Sequence, residues 1–268
     1  MHISYRLGHL FSRIVAATAN VGLLNAIKLY CWQASRTSKA KLYAKGLSAP
    51  IYFRGARDYH VLTLLFEKNL SFDSNGRPIK TAIDLGANIG IETLRMVALY
   101  PDINIVAVEA DKNNFQILQE NVRQYPNVTP RNAAAWGEPA RFRVKADPNC
   151  NMASTVQLDN EGDIGSLTVN QIIDSLNVEE VDLLKIDVEG AESSIFSSQI
   201  ESWIRRVKVI IWELNDHEAP GALLKLTAAM RDGRVSFNFH ISGERLVAIR
   251  SDVKVALVHL VGLRRTIR

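Results

Sequence analysis

The chain has 268 residues, of which 47% are hydrophobic and 22% charged, with 15 Gly and 8 Pro; that balance excludes a disordered, fibrous or low-complexity protein and allows one large domain or two small ones at ~100–200 residues each. Basic side chains number 32 and acidic ones 28, a formal charge of +4, which permits an anionic partner or surface without requiring one. The two cysteines, Cys31 and Cys150, are too few for a disulfide framework or a cysteine zinc site and fit a reducing, cytoplasmic setting.

Residues 14–27 read IVAATANVGLLNAI behind Arg6 and Arg13. Asn20 and Asn25 interrupt the apolar run, which is shorter than the ~20 residues a bilayer span needs. No clean small-residue cleavage site follows it. Leu10, Ile14, Ala17, Val21 and Leu24 fall at helical spacing, which predicts a helix packed on the domain, on a partner or on a membrane surface. Residues 1–45 as a whole read as helical and basic, ending in Arg36, Lys39, Lys41 and Lys45. The expected organisation is a helical extension over 1–48, with peripheral membrane contact through 1–45 as one use for it, and a single domain over 49–268.

After the break at Ala49-Pro50, residues 51–53 read as a short strand. Residues 58–68 read as a helix with Asp58 as its N-cap and Val61, Leu62, Leu64 and Leu65 on its apolar side. Residues 71–78, SFDSNGRP, read as a loop. From residue 80 the pattern alternates. Strands are expected at 81–85, 103–108, 128–136, 181–186 and 207–214, and helices at 92–99, 112–123, 171–176, 191–196 and 222–231. Residues 137–168 read as irregular with short extra strands. Two late strands, 235–241 and 246–249, flank the turn Ser242-Gly243-Glu244, and 253–261 reads as another strand. Strands alternating with helices imply a mostly parallel sheet, and the late pair implies an antiparallel hairpin at its edge. The strands are continuous apolar runs, as expected when both sheet faces are covered. No internal repeat is present.

The turn after the first of these strands reads Asp84-Leu85-Gly86-Ala87-Asn88-Ile89-Gly90. In an open α/β sheet, ligands bind beyond the carboxyl ends of the strands. Gly86 allows a sharp turn and Gly90 a tight helix-on-strand packing. A dinucleotide fingerprint has glycine where Asn88 stands, and the charge of Asp84 repels a pyrophosphate. Asp84 is suited instead to anchoring an ammonium, directly or through water. Glu109 ends the next strand, where a carboxylate can accept both hydroxyls of a ribose. Asp111 follows as the cap of the 112–123 helix. Small side chains at Ala133 and Ala134, in the stretch 132–136, leave room for a ring such as adenine.

These residues resemble the S-adenosylmethionine-dependent methyltransferases of the Rossmann-like class I fold, and more narrowly the FkbM-type family. The resemblance rests on Arg54 and Asp58 with the apolar segment after them, on Asp84–Gly90, on Val108-Glu109-Ala110-Asp111 with Asn114-Phe115, and most specifically on Leu184-Lys185-Ile186-Asp187-Val188-Glu189-Gly190-Ala191-Glu192. It covers roughly residues 50–215. The family's more usual Glu-Pro after the second strand is Glu109-Ala110 here. The resemblance implies S-adenosyl-L-methionine held by Asp84, Gly86, Asn88, Gly90, Glu109 and Ala134. It also implies O-methylation of a hydroxyl on a sugar, glycan or polyketide-type small molecule.

Asp187, Glu189 and Glu192 cluster at the carboxyl end of the fourth strand, and Lys185 shares a face with Asp187 by the period of two. A lysine inside an apolar strand needs a partner, and Asp187 can be it. Glu192 complements the dipole of the helix it opens. Glu213 and His217 point to the same edge, and Asp187 or His217 is the expected general base; Lys185, Asp187, Glu189, Glu213 and His217 together are the candidate catalytic set. Asp187, Glu213, Asp216 and His217 offer ligands to Mg²⁺, but no compact spacing demands a metal and none is assigned. A nucleic-acid substrate is disfavoured: the Asp/Asn-Pro-Pro-aromatic motif is missing after the fourth strand, Asp147-Pro148-Asn149-Cys150 is only a misplaced echo of it, and the acidic edge repels phosphates. The competing class is a non-enzymatic nucleoside binder docked to a membrane-bound assembly by its N-terminal helix. The oligomeric state is not written in the pattern.

Overall fold

The apolar runs lie side by side in a computed structural model that describes residues 18, 22–25, 40–54, 58, 69–73, 78–147, 150–197, 199–214, 220–242, 244–254 and 256–260. In chain order the strands are β1 (Ala40–Leu42), β2 (Ile51–Phe53), β3 (Asn69–Asp73), β4 (Thr81–Leu85), β5 (Asn104–Glu109), β6 (Val128–Asn132), β7 (Ala134–Ala135), β8 (Arg141–Asp147), β9 (Cys150–Leu158), β10 (Ile164–Leu167), β11 (Val181–Ile186), β12 (Val207–Glu213), β13 (Phe237–Ser242), β14 (Arg245–Arg250) and β15 (Ala256–Leu260). The described helices are α1 (Ile91–Leu99), α2 (Lys112–Val122), α3 (Val169–Ser175), α4 (Glu192–Ile195), α5 (Ile200–Trp203) and α6 (Ala222–Asp232).

Seven strands form the central sheet in the order β13-β14-β12-β11-β4-β5-β6. The five from β12 to β6 are parallel, and β14 is antiparallel to both β12 and β13, which is the expected edge hairpin. Alternate residues of each central strand feed two separate cores. Ala82, Ile105, Ala107, Leu183, Val209 and Ile211 pack with Leu94 and Val97 of α1 and Leu118 and Val122 of α2. Ile83, Val106, Leu184, Ile186, Ile210 and Trp212 pack with residues of α3 to α6 on the other face. Two buried faces explain why these strands read as unbroken apolar runs. The helix starts follow local chemistry. Asp111 caps α2 by accepting from the N–H groups of Asn113 and Asn114, and Thr168 and Gln171 form a reciprocal capping box on α3.

Several expectations are corrected. Residues 40–42, read as the end of a helical segment, are a strand paired with β2. Residues 69–73 overlap the expected loop but form β3, paired antiparallel with β15. The stretch 128–136 is two strands broken at Ala133. The irregular region holds long strands: β8 and β9 make a hairpin within a four-stranded sheet of order β7-β10-β8-β9. Leu24, counted in the apolar helical stripe, is 76% exposed; Leu10, Ile14, Ala17 and Val21 lie outside the described residues. No described helix is long and apolar enough to cross a membrane.

One buried amide ties the first strands to the glycine turn. Asn121 of α2 is 1% exposed. Its Oδ1 accepts from the N–H of Tyr52, and its Nδ2 donates to the carbonyls of Tyr52 and Ile89. Asn121→Ala strands these backbone groups away from water. The expected cost is about 3 kcal/mol of stability, measured by urea unfolding; a change below ~0.5 kcal/mol contradicts this role.

Candidate active site at the sheet switch point

The chain winds from β4 through β5 to β6 on one side and from β11 to β12 on the other. The strand order therefore reverses between β4 and β11. Diverging connections at such a point leave a crevice at the carboxyl ends. Lys185 and Asp84 are register partners there.

The Lys185 ammonium lies 3.1 Å from Asp84 Oδ1, 3.1 Å from Asp187 Oδ2 and 2.9 Å from the Gly86 carbonyl oxygen. The Gly86 contact is a hydrogen bond, and the two carboxylate contacts are ion pairs. Burial alone lowers a lysine pKa. Here Asp187, Asp84 and Glu92 outweigh it and hold the ammonium above its ordinary range, so Lys185 stays charged. The other oxygen of Asp84 accepts from the Thr93 hydroxyl at 2.6 Å.

The expectation that Asp84 anchors a ligand ammonium is therefore corrected. Its side chain is fully buried, and the cation it faces is the protein's own Lys185. Asp187 answers the expectation of a partner for Lys185, but shares that role with Asp84. Asp187 is the open member, 28% exposed.

The turn is left-handed at Gly86 (φ 76°), Asn88 (φ 50°) and Gly90 (φ 89°). A Cβ at Gly86 would stand 1.7 Å from the Asp187 carbonyl oxygen, so any side chain there pushes the two strand ends apart. At Gly90 a Cβ would stand 2.7 Å from Leu118 of α2; the close packing expected against a strand is made against a helix.

The turn's backbone donors are already used. Gly86 and Ala87 donate to the Val108 carbonyl, and Gly90 donates to that of Ala87. Asn88 N–H donates to Glu109 Oε2, and Ile89 N–H to the Asn88 side chain. A phosphate cradle needs free N–H groups at this place, and residues 86–90 offer none.

Glu109 ends β5 and is 8% exposed. Its carboxylate accepts one N–H on each oxygen, from Asn88 and Asp111 at 2.8 Å. A carboxylate has about four acceptor positions, so each oxygen retains room for a further donor. Burial outweighs these hydrogen bonds and pushes its pKa up to about 7. Beyond β6, Ala133 N–H donates to the Glu109 carbonyl, while Ala134 is buried in β7 beside β10.

Two supporting ion-pair groups were not foreseen as such. Glu92, in the first turn of α1, accepts from Arg95 at 2.6 Å and from Arg245 of β14 at 2.9 Å. Burial opposes its ionisation, yet Arg95, Arg245 and Lys185 draw its pKa down to about 2. Arg54 donates to Asn114 Oδ1 at 2.6 Å and pairs with the fully buried Asp58. Asp58 was expected as a helix cap; residues 59–68 lie outside the described residues, and what is seen is its bond to Arg54. Acidic pairing at helical spacing could have signalled Glu92–Arg95, but nothing local signals Arg245.

Glu189 and Glu213 are half-buried at the same carboxyl edge. Glu213 is the register partner of Arg245. Glu192 is fully buried in the first turn of α4. Asp216 and His217 lie outside the described residues, and among the described residues no group of three or more His, Cys, Asp or Glu is placed to hold a metal.

Residues 84–235 match the family described as Methyltransferase FkbM domain. A curated relative, Methyltransferase 1 of Beauveria bassiana (strain ARSEF 2860), is 25% identical over 169 residues, which is 53% of this chain and 68% of that protein. Among solved structures, precorrin-6y C5,15-methyltransferase from Geobacter metallireducens GS-15 covers 66% of this chain and 81% of its own at 16% identity and a TM-score of 0.38. Aeropyrum pernix fibrillarin with natively bound S-adenosyl-L-methionine covers 65% of this chain and 67% of its own at 14% identity and a TM-score of 0.39.

Two measurements probe this geometry. The folded Glu109 carboxyl titrates near 7, against 4.5 for the ordinary group. Between these values only the folded state holds the proton. The resulting stability is complete below pH ~4.5 and is lost as pH rises through ~7. From pH 5 to 8, ligand-free wild type should lose about 2.5 kcal/mol more than Glu109→Gln in denaturant unfolding; parallel profiles contradict the burial argument. Lys185→Met leaves Asp84 buried without its cation and should cost about 3–5 kcal/mol. Unfolding midpoints equal to wild type contradict the tie.

Proposed function

The chain belongs to the FkbM methyltransferase family, and on that footing we propose that it moves a methyl group from S-adenosyl-L-methionine to a hydroxyl of a sugar, glycan or polyketide-type small molecule. The observation that carries the cofactor reading is the pairing of Glu109 with a turn whose N–H groups are spent. Such a site suits a diol without phosphates and disfavours a dinucleotide. Glu109 would accept the ribose hydroxyls, the Gly86–Gly90 turn would back the nucleoside, and the small side chain of Ala133 would leave space for its base, whereas Ala134 is packed against Phe142 and Ile164 in a separate core. The sulfonium supplies an electrophilic methyl group when bound.

The protein's own task is alignment and proton removal. Holding two reactants in line can supply ~7–11 kcal/mol of a barrier. The Lys185 contacts fix Asp187 relative to the turn, since one ammonium touches both the Gly86 carbonyl and the Asp187 carboxylate. Lys185 engages Oδ2 of Asp187, which leaves Oδ1 to take the hydroxyl proton. A general base of this kind contributes ~10²–10⁴-fold. Glu189 and Glu213, half-buried at the same edge, are assigned to the acceptor side. The density of carboxylates there supports a neutral or cationic acceptor over a nucleic-acid backbone.

The cofactor and base roles separate experimentally. Glu109→Gln should weaken S-adenosyl-L-methionine binding about 10–100-fold by calorimetry at pH 8, through loss of charge-assisted bonds to the diol. Asp187→Asn should leave that affinity within ~3-fold and lower labelled-methyl transfer to fractionated glycans and metabolites by ~10²–10⁴-fold. Unchanged binding in the first variant, or unchanged turnover in the second, removes the corresponding assignment.

A further inference from the structure

β13 ends the central sheet, and no strand among the described residues pairs with its outer side. Its hydrogen-bond phase can be read from its inner side. Ser251 N–H donates to the Ser236 carbonyl at 2.8 Å, one step beyond the register pair Phe237↔Arg250. In an antiparallel ladder, bonded pairs alternate with unbonded ones. Asn238, His240 and Ser242 therefore turn their backbone groups towards β14, while Phe237, Phe239 and Ile241 turn theirs to the open side.

The same three residues share one sheet face. Phe239 and Ile241 are register partners of Ala248 and Leu246, which lie in the core with α6. Outward backbone donors and acceptors thus coincide with apolar side chains: Phe239 is 44% exposed and Ile241 76%. The strand FNFHIS carries no Lys, Arg, Asp, Glu or Pro, the residues that normally keep an edge from pairing. Helix α6 extends the apolar surface. Lys225 reaches Ser193 of α4; at 3.6 residues per turn, Leu223 lies on the opposite flank, towards the β13 end of the sheet, and is 42% exposed.

We propose that a second copy of this chain pairs antiparallel with β13 about a twofold axis at Phe239, joining the two sheets edge to edge. The strand is complementary to itself. Opposed residues in a ladder share a face, so a twofold axis normal to the sheet must pass midway between a residue and its own equivalent. At Phe239 it sets that ring against its equivalent in the second copy, and Ile241 against the equivalent of Phe237. All three outward-facing residues then exchange backbone hydrogen bonds, and the exposed side chains of Phe239 and Ile241 are covered.

The test uses the full chain in size-exclusion chromatography with light scattering over ~1–100 μM. The expected mass rises with concentration towards twice the 29.9 kDa of one chain. Phe239→Glu and Ile241→Lys should each raise the dimer dissociation constant about 30-fold with the unfolding midpoint held. In a Cys31→Ser, Cys150→Ser background, Phe239→Cys should form an intermolecular disulfide, because bonded antiparallel pairs place Cα atoms ~5.5 Å apart. His240→Cys, diagonal across the axis at ~7–8 Å, should not. A monomer at every concentration, a dimer that survives both charged substitutions, or cross-linking through position 240 in place of 239 overturns the proposal.

Discussion

One ammonium group holds the site together. Lys185 lies inside an apolar strand, so its charge must be met by the protein, and it is met by both sides of the switch point. Asp84 comes from β4, Asp187 from the end of β11, and the Gly86 carbonyl from the turn between β4 and α1. Each of the buried charges is tolerable only because the other is present. The same spacing that lets Lys185 bridge the strands brings the Asp187 carbonyl onto the α-carbon of Gly86. The glycine and the lysine are therefore two consequences of one close approach.

That approach decides what the turn can bind. Its N–H groups are directed inward, to Val108, Ala87, Glu109 and the Asn88 side chain. What remains for a ligand is the second acceptor position on each Glu109 oxygen, in a place dry enough to bring its pKa near 7. Under the proposed function, a carboxylate beside a closed turn suits a donor-rich, phosphate-free nucleoside better than a dinucleotide, and the proposed methyl transfer rests on that chemistry. The Asn121 and Arg54–Asn114 contacts fasten α2, and with it the approach to Glu109, to the segment before β3.

Much of this was legible locally. Alternating apolar runs and helical stripes located the sheet, its edge hairpin and the turn 84–90, because both-faced burial leaves a periodic trace. Asp111 followed from capping chemistry alone, and the place of Glu109 at the end of β5 from the length of the apolar run. What escaped the pattern depends on strand order. Asp84 looks like a free carboxylate until β11 is known to lie beside β4 and to bring Lys185 with it. Arg245 stands 153 positions from the glutamate it pairs with. Residues 69–73, NLSFD, have the polarity of a loop and become a strand only because β15, far along the chain, supplies the ladder. The β8–β9 hairpin was underestimated for a related reason: its strands alternate exposed Arg141, Arg143 and Lys145 with Phe142 and Val144, and a half-wet strand has a weaker signature than a buried one.

The most direct trial of the whole account is a crystal structure of the protein with S-adenosylhomocysteine. The account predicts the ribose diol on the free acceptor positions of Glu109, with Lys185 still bridging Asp84, Gly86 and Asp187. A nucleoside bound away from Glu109, or a dinucleotide diphosphate seated on residues 86–90, would contradict it.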